Sequence, residues 1–407
     1  MKSSSTTKFK QTEVGQIPEE WDLCELQDVV KSIIDYRGKT PTKTTHGVPL
    51  VTAKIVKQGR IDFSNLEYIA ESDYDTWMRR GLPEAGEVVI TTEAPLGEVA
   101  QLPNIKIALA QRIITVSGKD DILNNTFLKY YFLSSIGQSQ LKSKESGSVV
   151  TGIKQSELRK VKVLLPPMYS QEWIVGILSS LDQKIELNRK MNKTLEEMGQ
   201  ALFRHYFIDN PDAKEWQIKK FGEVVKVVGG GTPSTTDPSL WNGGIAWTSP
   251  RDLTGHDEVF LLNTDKTISE SGLRKISSGL LPKHTLLLSS RAPIGYLAIS
   301  IREVAINQGY IAFLPEGYLS NNFMFFWLKR NMDLIKNAAN GSTFMEISKT
   351  VFKSLETKIP PKQVLEEFEK QTEILFSTIR NLQLQNQNLI QSRDALLPRL
   401  MSGKISL

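Results

Sequence analysis

Two stretches of the chain carry apolar residues at heptad spacing and predict long amphipathic helices. From Ile174 the apolar positions follow at steps of four and three, and Asn188 and Asn192 occupy the same row before Leu195 and Leu202 resume it. The second row consists of Phe368, Thr372, Leu375, Ile379, Leu382, Asn386, Leu389, Leu396 and Leu400. Both stretches follow a Pro-Pro step, and each predicts a helix of roughly 35 to 40 residues, on the order of 55 Å long.

The two predicted helices are expected to pack against each other in antiparallel orientation. Asn192 and Asn386 fall on equivalent rows of the two patterns. A buried Asn pair would fix the register of the helices at some cost in stability. Helices paired in this way would hold the domains that precede them apart at a fixed distance. The alternative is an ordinary amphipathic helix that folds onto its own domain.

Short motifs recur along the chain at an offset of about 195 residues, which indicates a duplication. The offset varies by only a few residues, so the pattern is that of two similar domains with loop insertions and not of a solenoid. The matching motifs are Glu20-Trp21 and Glu215-Trp216, 38–41 and 230–233, 94–97 and 292–295, Gly147-Ser148 and Gly341-Ser342, and Pro166-Pro167 and Pro360-Pro361.

Each predicted helix is preceded by a module with short β-type runs. The clearest runs are 88–91, 113–116, 285–288 and 310–313. Short helical segments, Phe127 to Ser135 and Asn322 to Lys329, follow these runs at matching places, so an α+β fold is predicted for each module. We expect a first domain at 1–167, a first spacer helix at 168–208, a second domain at 209–361 and a second spacer helix at 362–407.

Composition narrows the class of protein. The chain has 407 residues, of which 40% are hydrophobic and 23% charged, as in ordinary globular proteins. It has no apolar run of the roughly 20 residues that cross a bilayer, and its N-terminus has no hydrophobic signal core. We therefore expect a cytoplasmic protein without membrane association. The single Cys24 and four histidines give little material for disulfides or metal sites. A net charge of +5 is compatible with a polyanionic partner.

The sequence contains none of the common catalytic motifs. Gly-x-Ser-x-Gly, His-Glu-x-x-His and a helix-opening Gly-x-Gly-x-x-Gly are all missing. Gly147 and Gly152 have the spacing of a phosphate loop, but Ile153 stands where the lysine is needed. Leu165-Pro166-Pro167 lacks the leading amide or carboxylate of the adenine methyltransferase signature. We predict that the chain is not an enzyme.

Three motifs on this duplicated frame resemble the specificity (S) subunit of Type I restriction-modification systems. They occupy 13–21, 195–203 and 396–405, in the order typical of that family. The resemblance covers nearly the whole chain. It implies two tandem α/β target-recognition domains in a pseudo-twofold repeat, separated by two long antiparallel coiled-coil helices. Each domain would read one half of a split, asymmetric target in double-stranded DNA, and the helices would set the gap between the halves.

The resemblance also implies the partners of the chain. Two modification (methyltransferase) subunits would bring S-adenosylmethionine and methylate adenine N6, and restriction subunits would supply ATP-driven translocation and cleavage. ATP, Mg²⁺ and S-adenosylmethionine are therefore expected on partner subunits, and no cofactor or metal is expected on this chain.

Candidate DNA contacts are basic or polar residues near turns, where the backbone can approach a groove. Lysine would mostly neutralise phosphate, whereas Arg, Asn and Gln have paired donors and acceptors that match base edges. The candidates in the first domain are Arg37, Lys39, Lys43, Lys54, Thr92, Arg112 and Lys154. Those in the second domain are Thr232, Ser234, Arg251, Ser290, Arg291, Asn307, Gln308 and Lys349.

One amide pair among these candidates has two interpretations. Asn307 and Gln308 could read adenine, or they could satisfy backbone groups in a turn. The first domain keeps only Gln111 of this pair, with Ala110 in the Asn position, so any shared role belongs to Gln. The Gly-x-Thr-Pro motifs at 38–41 and 230–233 are interpreted first as framework, because Gly and Pro shape the loop backbone.

Helix surface that lies outside the predicted seam is the candidate surface for the modification subunits. The residues are Leu187, Met191, Met198, Phe203, Tyr206 and Phe207 on the first helix, and Ile374, Ile390 and Leu397 on the second. The alternative is that these side chains cover the recognition domains. Two other functions also stay open: a coiled-coil scaffold without DNA specificity, and the specificity subunit of a system in which one partner both cuts and methylates.

Overall fold

The computed structural model describes residues 8–36, 40–147, 151–255, 258–340 and 345–405. The strands of the first half are β1 Phe9–Thr12, β2 Gly15–Pro18, β3 Asp22–Glu25, β4 Val30–Asp35, β5 Val48–Val51, β6 Val56–Lys57, β7 Arg60–Ile61, β8 Glu67–Ile69, β9 Val88–Thr92, β10 Leu96–Gln101, β11 Ala108–Leu109, β12 Ile113–Gly118 and β13 Lys162–Leu165. Its helices are α1 Leu26–Val29, α2 Tyr74–Trp77, α3 Asn125–Leu133, α4 Ser135–Ser143, α5 Gln155–Leu158 and α6 Met168–Phe207, with 3-10 turns at Phe63–Asn65 and Glu71–Asp73.

The second half has a matching series of elements. Its strands are β14 Ile218–Lys220, β15 Val227–Gly229, β16 Trp241–Thr248, β17 Phe260–Leu261, β18 Lys266–Ile268, β19 Leu286–Ser289, β20 Leu297–Ser300, β21 Ala305–Ile306, β22 Tyr310–Phe313 and β23 Glu356–Lys358. Its helices are α7 Phe221–Val224, α8 Glu270–Leu273, α9 Asn321–Arg330, α10 Met332–Ala338, α11 Lys349–Ser354 and α12 Lys362–Met401, with 3-10 turns at Pro211–Lys214, Pro238–Leu240 and Pro250–Leu253.

Sheet topology confirms that the chain is a duplication. The first domain has a four-stranded antiparallel sheet in the order β10-β9-β12-β4 and a three-stranded sheet in the order β11-β5-β8. The second domain repeats them as β20-β19-β22-β15, with β17 added beside β20, and as β21-β16-β18. The pairings β11–β5 and β21–β16 are parallel in both copies. The predicted α+β class is therefore confirmed for each module.

The central strand of the first domain shows why its sequence is a continuous apolar run. Val88 and Ile90 point into one core cluster, with Phe127 of α3, and Val89 points into another, with Leu50 of β5. Alternate residues of a strand face opposite sides of the sheet. Because both sides are covered, every residue of β9 is buried and the usual alternation of apolar and polar residues is lost.

Packing divides the chain into two compact units, and the division falls within the long helices. The first unit contains residues 1–184 and 389–407, and the second contains 185–388. Ile174 of α6 and Leu400 of α12 belong to a core of the first unit, whereas Phe203 of α6 and Phe368 of α12 belong to a core of the second. Each domain thus packs on segments of both long helices.

The long helices are antiparallel within the second unit, as predicted. Asn188 Nδ2 donates to Asn386 Oδ1 over 2.9 Å, and the Tyr206 ring lies 6.0 Å from that of Phe368. Residues later in α6 therefore contact residues earlier in α12, so the two helices run in opposite directions. The buried Asn pair that sets the register is Asn188–Asn386, while Asn192, on the equivalent row, is half-buried.

Among the described residues, each helix is too short or too polar to cross a membrane.

Candidate nucleic-acid and partner surfaces

A repeated loop structure follows the central strand of each domain. Both loops contain a cis peptide, at Ala94-Pro95 and at Ala292-Pro293. The strand ends are fixed by neighbouring backbone: the Ile153 N–H donates to the Thr92 carbonyl at 2.9 Å, and the Ile347 N–H donates to the Ser290 carbonyl at 3.1 Å. The loop after β9 is therefore held beside the segment before α5, and the loop after β19 beside the segment before α11.

Thr92 and Ser290 lie at these strand ends, and their side chains are buried. Only 3% of Thr92 and 2% of Ser290 is exposed. The sequence predicted both as DNA contacts, but strand pairing and the flanking segment cover their side chains. Their structural place is that of framework residues, which position the exposed loop residues next to them.

Four predicted basic residues of the first domain are exposed: Lys43, Lys54, Arg112 and Lys154. Arg112 Nε lies 2.8 Å from a carboxylate oxygen of Glu93, and Lys43 Nζ lies 2.8 Å from Glu67. These two cations already have carboxylate partners, and exposed pairs of this kind contribute little stability. Arg37 and Lys39, also predicted, lie outside the described residues.

In the second domain the structure brings three of the predicted residues together. Thr232 Oγ1 donates to Gln308 Oε1 at 2.6 Å, and Asn307 Nδ2 donates to Thr232 Oγ1 at 2.5 Å and to Gln308 Oε1 at 3.0 Å. Asn307 Oδ1 also accepts from the Gly309 N–H at 2.7 Å. Asn307 thus serves its own turn, as one of the two interpretations held, while Gln308 remains exposed.

The same contact recurs in the first domain with fewer residues. Gln111 Nε2 donates to Thr40 Oγ1 at 2.9 Å, which matches the pair of Gln308 with Thr232 with donor and acceptor exchanged. The sequence singled out Gln as the shared residue but gave Thr40 only a framework role. The recurrence of Thr in both Gly-x-Thr-Pro motifs was the signal that could have identified the pair.

The remaining candidates of the second domain lie at its surface. Ser234, Arg251 and Lys349 are exposed. Ser234 Oγ is hydrogen-bonded to Thr236 Oγ1 at 2.8 Å, and Arg291, half-buried, pairs with Glu346 at 3.4 Å. Within the described ranges, no cluster of three or more His, Cys, Asp or Glu side chains could hold a metal ion.

Four of the predicted partner residues form an exposed apolar surface on the helices of the second unit, which we call the apolar stripe: Leu187, Met191, Met198 and Ile374. Their exposed fractions are 53%, 41%, 50% and 64%. Met198 and Ile374 both line a groove of about 530 Å³, together with Ala201, Leu202, Gln371 and Leu375. Leu187, Met191 and Met198 lie at helical spacing on one face of α6.

The other predicted partner residues are covered by the protein itself. Phe203 and Phe207 are 2% and 7% exposed and pack against Phe323 and Phe368. Tyr206 is half-buried and accepts from Gln371 Nε2 at 2.7 Å, and Ile390 and Leu397 are half-buried as well. The prediction that Phe203 and Phe207 form a docking surface is corrected, because both rings fill the core of the second unit.

Comparison with known proteins gives the same family for both halves. The model of the Type I restriction modification DNA specificity domain matches residues 18–197 and 213–392. The Type I restriction enzyme MjaIX specificity subunit of Methanocaldococcus jannaschii is 24% identical and aligns over 98% of this chain and 96% of its own length. The EcoR124I/EcoR124II specificity subunit of Escherichia coli is 26% identical over 65% of this chain and 67% of its own length.

A solved structure has the same fold. The crystal structure of the Type I restriction-modification system S subunit from M. genitalium superposes with a TM-score of 0.55 at 14% identity, covering 97% of this chain and 98% of the other. The family model occupies most of the sequence and matches it twice, in agreement with the duplicated sheets. The chain therefore belongs to the family of Type I restriction-modification DNA specificity domains, of which it carries two copies.

Proposed function

We propose that this chain is the DNA sequence-recognition subunit of a Type I restriction-modification complex. The observation that carries the proposal is the double match to the specificity domain, one match on each of two domains that share a topology. Each domain reads one half-site of a bipartite target. The antiparallel helices set the number of unspecified base pairs between the half-sites. A protein-only scaffold, or a system whose partner both cuts and methylates, has no support of this kind.

The two half-sites differ in sequence. At the equivalent turn the second domain presents Thr232, Asn307 and Gln308, whereas the first has Thr40, Ala110 and Gln111. Asn307 is engaged in its own turn and Ala110 is buried, so the groups that can face DNA are an exposed Gln308 in the second domain and a half-buried Gln111 in the first. An amide can accept from and donate to adenine, and its neighbours set how it is presented. Different polar groups at the same place on one frame favour different bases, so the target is asymmetric.

The chain positions the chemistry of its partners and performs none itself. Two modification subunits supply S-adenosylmethionine and methylate adenine N6, and restriction subunits supply ATP- and Mg²⁺-dependent cleavage. The lack of catalytic motifs in the sequence supports this division of labour. No cofactor is assigned to this chain.

The apolar stripe is the proposed docking surface for one modification subunit. Large exposed apolar patches on a protein mark interaction sites. At the equivalent rows of the duplicated helices the sequence has Asn381, Gln385, Ser392 and Ser180. Each residue of the apolar stripe thus has a polar counterpart in the other copy of the repeat, and we expect the two modification subunits to bind with unequal affinity.

A paired substitution tests the docking surface. Met198→Asp with Ile374→Asp places two charges in the groove and should abolish retention of the modification subunit on this side, because a charge buried at an interface without a partner is strongly unfavourable. The control is Ser392→Asp with Ser180→Asp at the equivalent rows. Native mass spectrometry of the co-purified complex should show a single modification subunit for the first variant. Two bound copies in that variant would rule out the assignment of the groove.

To test the proposed function, this chain is co-expressed with its modification subunit in a host free of DNA methylation. N6-methyladenine is then mapped across the host genome. We expect a split motif with a fixed gap, and exchange of residues 1–167 should alter one half of it only. An exchange that changed both halves would refute the assignment of one half-site per domain. If a stable complex methylates nothing, DNA binding at low salt distinguishes an inactive recognition subunit from a protein scaffold. A recognition subunit retains DNA at low salt and loses it as the salt concentration rises, because phosphate contacts make affinity fall steeply with salt. A scaffold retains no DNA.

A further inference from the structure

One buried carboxylate connects the first domain to both long helices. Asp182 of α6 accepts a hydrogen bond from the Tyr130 hydroxyl at 2.7 Å and lies 3.4 Å from Lys129 Nζ, both on α3. Its other oxygen accepts from Arg393 Nη1 of α12 at 3.0 Å. Three helices therefore meet at a single side chain. We call Lys129, Tyr130, Asp182 and Arg393 the ionic junction.

The ionic junction is largely withdrawn from solvent. The Lys129 side chain is 9% exposed, that of Asp182 27% and that of Arg393 22%. Burial works to raise the pKa of Asp182, but the Tyr130 hydroxyl and the two cations outweigh it and hold that pKa below its usual value. Asp182 is thus ionised at neutral pH, and its directional bonds to both neighbours are charge-assisted.

Helix α3 connects this junction to the sheet that carries the candidate DNA contacts. Phe127, Leu128 and Tyr131 of α3 share a core with Val88 and Ile90 of β9. The strand β9 leads into the loop with Glu93, which pairs with Arg112. The orientation of α3 on the long helices therefore sets the orientation of the loop.

The equivalent contact between domain and helices in the second unit is made by uncharged residues. The positions that correspond to the ionic junction are Phe325, Phe326, Phe376 and Gly199, which we call the aromatic junction. Its rings contact each other, with centroids 5.5 Å apart between Phe376 and each of Phe325 and Phe326. The frame can therefore be held together by apolar packing. A buried ionic cluster contributes little net stability in comparison with such packing, but it fixes geometry through directional bonds.

We infer that Asp182 is a positioning residue for reading the first half-site: by accepting from α3 and α12 together, it sets the angle at which the first domain meets DNA. This inference rests on the proposed function. Loss of the Asp182 carboxylate should leave the first domain folded, but its orientation on the long helices should be less fixed. Recognition of the first half-site should then weaken while recognition of the second is unchanged.

The test is a double-mutant cycle between the protein and its DNA, with the complex of this chain and its modification subunits. Affinity is measured for the mapped target and for duplexes with either half-site scrambled. Asp182→Ala should reduce the affinity loss caused by scrambling the first half-site by about tenfold, within the range of coupling between interacting groups. The loss caused by scrambling the second half-site should equal that of the native complex.

A second variant separates positioning from stability. Asp182→Ala leaves Lys129 buried beside Arg393 without a carboxylate and should lower the melting temperature. Asp182→Ala with Lys129→Met removes that uncompensated charge and should restore it, while the coupling to the first half-site stays lost. Coupling that returns together with the melting temperature would show that Asp182 only stabilises the fold.

Asp394→Asn is the matched control. Asp394 accepts from the same Arg393 at 2.8 Å, but its side chain is 58% exposed. This variant should behave as the native chain, and an effect as large as that of Asp182→Ala would overturn the assignment to Asp182. If the complex proves indifferent to DNA sequence, the proposed function fails by itself. Hydrogen exchange on the free chain then decides: Asp182→Ala with Lys129→Met should speed the exchange of α3 amides and leave that of α9 amides unchanged, and unchanged protection of α3 contradicts the inference.

Discussion

The two domains meet the long helices at equivalent positions with opposite chemistry. At the ionic junction Arg393 extends from α12 to Asp182, whereas the corresponding position of the aromatic junction is Gly199 of α6. The missing side chain lets the Phe326 ring lie against the helix backbone: a Cβ built on Gly199 would come within 2.2 Å of that ring. At the edge of the aromatic junction, an ion pair joins Lys329 to Glu196.

The two copies of the repeat share the location of this contact and differ in its chemistry. The place of contact between domain and helices is the same in both units, as is the order of strands in the main sheet. The contact itself is directional and charged in one unit and apolar in the other. The two units therefore share the position of the junction, while its side-chain chemistry differs.

Filling the space beside Gly199 at the aromatic junction should destabilise the protein most. Gly199→Ala forces its methyl group into the Phe326 ring and should destabilise the second unit by about 1–3 kcal/mol, as overpacking of a core does. The matched control is Gly176→Ala on the same helix, where a Cβ meets nothing within 4 Å. Alanine there should stabilise the helix by up to about 1 kcal/mol.

Denaturant unfolding of the two glycine variants measures both effects. The midpoint should fall for Gly199→Ala and rise for Gly176→Ala. Equal shifts in the two variants would mean that the ring does not occupy the space beside Gly199, and that the second junction is looser than its aromatic contacts indicate.

A smaller effect is expected at a buried carboxyl that only the first domain has. Glu87 precedes β9 and is 3% exposed; one of its oxygens accepts from the Ser32 hydroxyl at 3.3 Å. At the equivalent point before β19 the second domain has Thr285, whose hydroxyl donates to the Pro282 carbonyl at 2.7 Å. Burial raises the pKa of Glu87 above its usual value. Glu87→Gln should therefore stabilise the first domain at neutral pH, by on the order of 1 kcal/mol.

The pH dependence of this effect has a definite sign. A carboxyl whose pKa is raised on folding contributes stability below its unfolded pKa, and this stability is lost as the pH rises through the folded pKa. The advantage of Glu87→Gln should thus be present at neutral pH and vanish below the usual pKa of a glutamate. Thermal unfolding of both proteins across that range is the measurement. A constant difference at all pH values would show that charge on Glu87 is not the cause.

Much of the architecture was predictable because it depends on local and periodic patterns. Heptad spacing identified the long helices α6 and α12, and recurring motifs identified the duplication. Short apolar runs identified β9, β12, β19 and β22. DNA contacts were harder to predict from the sequence, because the exposure of a polar residue near a turn depends on its neighbours in space. Thr92 and Ser290, for example, are buried by segments far along the chain.

The two long helices, the two related domains and the family could be predicted from the sequence, since periodicity and ordered motifs are properties of the chain alone. Three features became known from the folded chain alone: Asn188 and not Asn192 pairs with Asn386, Phe203 and Phe207 face the core, and Asp182 contacts Arg393. These contacts join residues on different helices, some about 200 positions apart. They depend on the rotation and register of whole helices, which packing of the complete core sets and a heptad pattern leaves open to within a turn.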